Sequence, residues 1–71
     1  MHKTGIVIWF SRRRGYGFIR PDDRGQNIFV HYSGISGDGH RVLKAGQRVE
    51  YDIIIDPRYP AMFRASDVIV T

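Results

Sequence analysis

Turn-forming residues cut this chain into pieces too short for anything but strands. Clusters built around Gly, Pro, Ser, Asn and Asp fall at 11–15, 21–27, 33–39, 45–47 and 56–60, where such residues favour tight backbone turns and end regular structure. The segments left between them lie near 4–11, 15–20, 27–32, 47–56 and 65–71. They are β-branched: Ile, Val and Thr number 17 in the chain, against 11 for Ala, Leu, Glu, Gln, Lys and Met together. β-Branched side chains suit a pleated surface and lose rotamer freedom in a helix, and no stretch of the chain shows a helical period. Five short strands leave unpaired edges and an uncovered apolar face unless the sheet closes on itself.

The expected fold is therefore all-β, a five-stranded antiparallel barrel of the oligonucleotide-binding type (OB-fold), with a small SH3-like barrel as its rival. The 71 residues hold one domain, 1–71, with no repeat or linker. Absence of cysteine removes disulfides and thiolate metal sites. The longest apolar runs, 6–10 and 53–55, fall far short of a membrane span, and residues 1–5 contain no apolar leader. These features predict a cytoplasmic protein away from membranes, and a monomer unless a long loop allows strand exchange. The charge balance is +4 with a pI near 10.0, and nine of the 11 cations are Arg, the side chain suited to forked phosphate contacts and to stacking on flat rings.

Two segments carry the chemistry. In 15–19 (Gly-Tyr-Gly-Phe-Ile) strand alternation puts Tyr16 and Phe18 on one face and Gly17 and Ile19 on the other. In 27–32 (Asn-Ile-Phe-Val-His-Tyr) Ile28 and Val30 share a face opposite Phe29 and His31. If Ile19, Ile28 and Val30 line the core, Tyr16, Phe18, Phe29 and His31 emerge together on the wet side, with the two glycines keeping their surroundings low. A cluster of exposed rings marks a binding surface, and rings flanked by cations suit unpaired bases, each of which has a face to stack on. Arg12, Arg13 and Arg14 enter the first of these segments and Arg20 leaves it, placed to hold backbone phosphates. The competing accounts are a second apolar layer under a loop for the rings, and a solvated loop for the arginines.

With these residues the sequence resembles the bacterial cold-shock protein family. The stretch 14–19 looks like the family's first ribonucleoprotein motif and 28–32 like its second; 4–10 matches the opening strand and 38–49 the long loop and fourth strand, the match weakening after residue 55. The resemblance implies a barrel that binds single-stranded RNA and DNA with little sequence demand. It also implies an RNA chaperone that melts weak structure and influences transcription or translation. Carried over, Trp9, Tyr16, Phe18, Phe29, His31 and Tyr32 stack bases, Arg14 is the basic residue entering the first motif, and Phe10 belongs to the core. Ile8 replaces a lysine common in the family, a lost cation that Arg12 and Arg13 offset. Asn27 stands for an aspartate, and an amide donates as well as accepts. His40 takes the place of an aromatic ring in the long loop. The extra residues 61–64 lengthen the last loop, where Arg58, Tyr59, Phe63 and Arg64 either extend the platform or, for Met62 and Phe63, cap the barrel.

Other signals fail on their physics. The run 15–17 begins like a dinucleotide fingerprint, but Arg20 occupies the third glycine position and no helix follows. Asp22 and Asp23 sit in a turn beside Pro21. His2, His31 and His40 lack ligand spacing, so no metal or cofactor is expected, and no nucleophile stands with a base, so no catalysis or small-molecule substrate is expected either. The remaining alternative is a protein-interaction barrel whose aromatic groove takes a peptide.

Overall fold

The β-branched segments resolve into five strands in a computed structural model that describes residues 2–37, 42–56, 58 and 62–71. The strands are β1 (Lys3–Ser11), β2 (Tyr16–Pro21), β3 (Ile28–His31), β4 (Arg48–Ile55) and β5 (Phe63–Val70), with one 3-10 turn at Tyr32–Gly34. They close into a barrel in the order β1-β2-β3-β5-β4, β4 returning to pair with β1. Neighbours are antiparallel except at the β3–β5 seam, where Phe29 faces Arg64 and Val30 faces Ala65 in parallel. β5 begins at Phe63, so Phe63 and Arg64, read from sequence as loop, are paired with Ile55 and Ile54.

Strand alternation fills the interior. Val7, Ile19, Ile28, Val30, Val49, Tyr51, Ala65 and Val68 are buried from the strands, Ile35 and Leu43 from the connections, and Phe10 and Ile53 pack against them. Full burial of a side chain such as Ile19 or Val30, both at 0% exposure, contributes about 1.5–3 kcal/mol. Ile19, Ile28 and Val30 are thus the core residues of their strands, as the alternation requires.

Two irregularities adjust that alternation. In β1, Val7 pairs with Ile19 but Trp9 pairs with Phe18, leaving Ile8 as an extra residue. In β5, Ser66 and Ile69 oppose Asp52 and Glu50, so two residues lie between them where β4 has one. Asp67 occupies this second bulge at φ 52°, left-handed backbone that Asp tolerates better than most residues. The bulge allows both Ala65 and Val68, three positions apart, to reach the core. Val68 then bridges to Ile35, and its carbonyl accepts from the Ser36 N–H at 2.9 Å, which covers the gap beside the short parallel seam.

Candidate nucleic-acid interface

The outer face of β1, β2 and β3 is built by a register that lines up rings. Trp9 lies opposite Phe18, and Phe18 opposite Phe29. Ser11 lies opposite Tyr16, and Tyr16 opposite His31. The rings form a connected surface: Trp9 is 5.6 Å from Tyr16 and 5.7 Å from Phe18, and Phe29 is 5.7 Å from Tyr16 and 5.9 Å from Phe18. Phe29 and His31 follow at 6.4 Å with their planes 28° apart, and His31 meets Tyr32 at 4.4 Å. Tyr16, Phe18, Phe29 and His31 are half-buried, whereas Trp9 and Tyr32 are exposed at 41% and 48%. No second layer covers these rings among the described residues.

Trp9 reaches this face through the bulge. Strict alternation from the buried Val7 would point Trp9 into the barrel, and the extra residue at Ile8 reverses the parity so that Trp9 joins Phe18 outside and Phe10 turns in. Ile8 itself is exposed.

The glycines act differently from the sequence expectation. Gly17 is buried, and a Cβ there would run into the Trp9 carbonyl oxygen and lie 2.8 Å from the Phe10 Cα. It permits close packing of β1 on β2 rather than clearing space around the rings. Gly15 sits at φ +77°, and a Cβ there would stand 2.8 Å from the Tyr32 ring. It closes the Arg-bearing turn and seats Tyr32.

In that turn the Gly15 N–H donates to the Ser11 carbonyl at 2.8 Å and the Arg14 N–H to Ser11 Oγ at 3.1 Å. Arg12, Arg13 and Arg14 are all exposed on it, and the Tyr32 N–H donates to the Gly15 carbonyl at 2.9 Å. Three cations are therefore anchored next to one end of the ring surface. His31 caps the 3-10 turn: the Ser33 N–H donates to its Nδ1 at 3.2 Å, and Ser33 Oγ is 2.8 Å away. A backbone N–H can only donate, so Nδ1 keeps its lone pair and the neutral ring carries its proton on Nε2.

Asn27 is exposed just before β3, and Arg58 is exposed after β4. Arg64 lies beside Phe29 across the seam. Phe63, of opposite parity, lines a cavity with Ile28, Ile53 and Pro21. It belongs to the barrel end, and Arg64 to the ring face. His40 and Tyr59 lie outside the described residues. Among the described residues no cluster of His, Asp and Glu can hold a metal ion, and no helix is long and apolar enough to cross a membrane.

The sequence profile of the 'Cold-shock' DNA-binding domain matches residues 3–70. The chain belongs to the cold-shock domain family. Its curated relatives include a cold shock-like protein CspD of Escherichia coli K12, 50% identical over 56 residues that cover 79% of this chain and 76% of the relative. A cold shock-like protein of Aquifex aeolicus is 42% identical over 60 residues, covering 84% of this chain and 86% of the relative. Among solved structures, "drosophila Unr CSD456" superposes with a TM-score of 0.79 at 20% identity, over 100% of this chain and 27% of that one. The likeness at that identity is one of fold, and it places this cold-shock domain among the OB-fold barrels. A nucleic-acid-binding cold-shock protein is what family and fold together support, and they do not favour a peptide-binding barrel.

Proposed function

We propose that this cold-shock domain is a single-strand-selective RNA and DNA chaperone that works by binding alone. The connected ring surface on β1–β3 carries the reading. Unpaired bases stack on Trp9, Tyr16, Phe18, Phe29, His31 and Tyr32, each worth about 1–3 kcal/mol. Arg12, Arg13 and Arg14 take phosphates at one end, Arg58 and Arg64 extend the charge at the other, and Asn27 contacts a base at the margin; the family resemblance gives His40 a base contact as well. A duplex buries its base faces, so only open strands engage the rings. Binding therefore pulls weak structure toward the open form, because a ligand that prefers one state shifts the balance to it. No energy source or catalytic step is required, and the protein acts as a monomer in the cytoplasm.

Trp9 is part of the surface and reports on it. Titration with an oligothymidine is expected to quench its fluorescence, while a proline-rich peptide leaves it unchanged. Quenching by the peptide alone would overturn the reading.

A further inference from the structure

The ring row does not stop at β3. Register links Trp9 to Phe18, Phe18 to Phe29, Phe29 to Arg64, and Arg64 to Ile54, a single lateral line crossing all five strands. Residues paired across neighbouring strands point to the same side of the sheet, so Arg64 and the exposed Ile54 continue the outer face that carries Phe29.

Arg64 is also aimed. Its NH1 lies 3.9 Å from Asp56 Oδ2, and Asp56 is 8% exposed. The other carboxylate oxygen, Oδ1, accepts from the Arg58 N–H at 2.8 Å, and the Asp56 N–H donates to the Met62 carbonyl at 2.9 Å. The Arg58 N–H orients the carboxylate, and the backbone bond to Met62 anchors its residue at the root of the β4–β5 hairpin. At 3.9 Å the carboxylate forms a long ion pair with one corner of a guanidinium that has five donors in a planar fork, a fork open to an incoming oxyanion. The next outward positions on β4 are acidic, Asp52 and Glu50, and Asp52 stands 3.4 Å from the His2 ring.

We propose that Phe29, Arg64 and Ile54 form one further nucleotide seat on the far side of the parallel seam. The Arg64 fork takes the phosphate, Ile54 supports the base, and Asp56 is the positioning residue. The seat rests on the single-strand reading above and fixes where the bound strand ends.

The test is affinity for a series of oligothymidines of increasing length, read by Trp9 quenching in the full chain. In the native protein affinity rises with length until the seat is filled. Arg64→Ala is expected to cut the gain between the shortest and longest oligomers by about tenfold. Arg64→Lys restores only part of it, since a point charge lacks the fork. Asp56→Asn keeps an acceptor for the Arg58 N–H but releases Arg64, so the length gain falls although the net charge rises by one. A loss in Arg64→Ala that is equal at every length, or an Asp56→Asn variant that binds all lengths more tightly, would overturn the seat. Native protein that binds no oligothymidine of any length would overturn the underlying reading too.

Discussion

Phe29 is the residue on which the surface converges, with Tyr16, Phe18 and His31 all within 6.4 Å of its ring centre. Its side chain packs on other rings and not into the barrel, so binding and stability separate at this position. Phe29→Ala is expected to weaken oligothymidine binding by about 1–3 kcal/mol while the thermal midpoint moves by only a few degrees. Fluorescence titration and circular dichroism on one sample check both. Ile19→Ala should do the reverse, costing about 2–5 kcal/mol of stability, a large share of what so small a barrel has. Phe18, Phe29 and His31 were legible in the sequence because an unbroken alternation ties each to a core neighbour. Trp9 was not: its facing depends on a bulge that simple alternation cannot reveal, and only the family resemblance pointed to it. The role of Gly17 was not legible, because a glycine in a strand carries no mark of how closely a neighbouring backbone approaches it.

The Arg-bearing turn between β1 and β2 is where charge is held beside the rings, anchored by Ser11 and Gly15. Single strands lose about 0.7 in logarithmic salt slope for each phosphate contact removed. Replacing Arg12, Arg13 and Arg14 by Ala should therefore flatten the slope by about 2, measured as affinity against salt concentration; an unchanged slope would mean that the turn touches no phosphate. The β1–β5 strand bounds were legible to within two residues, because turn residues mark them. The seam between β3 and β5 was not, since nothing local tells a chain that its third and fifth strands will meet in parallel. Arg64 gains its place beside Phe29 only through that seam, whereas sequence could offer it merely as a cation in a loop.

At the scale of the molecule, the end of the barrel near Lys3 and Asp22 is held by polar links. Thr4 Oγ1 donates to Asp22 Oδ2 at 2.6 Å, Arg48 pairs with the same oxygen, and Asp23 accepts from the Gly25 N–H at 2.9 Å and from Lys3 at 3.3 Å. The Thr4 bond, then Arg48, holds the Asp22 carboxyl below its usual 3.8, and the Gly25 N–H, then Lys3, does the same for Asp23. A depressed carboxylate stabilises the fold above its unfolded value and loses that contribution as pH falls through the folded one. Burial drives Tyr51 the opposite way, above its usual 10.0, so its contribution is complete below that value and fades as alkali ionises the phenol. Stability should plateau between these limits. Asp22→Asn should shrink the acid limb of a thermal-midpoint-against-pH curve, and Tyr51→Phe the alkaline limb. Neither residue touches the ring surface, so oligonucleotide affinity near neutral pH should not follow them.

The whole account turns on bases lying flat against rings that the barrel holds outside itself. A crystal structure of the complex with a short oligothymidine tests this directly. The account predicts thymines stacked face to face on Phe29 and His31, with phosphates toward the Arg12–Arg14 turn; a strand bound elsewhere on the barrel, with these rings left in solvent, would contradict it.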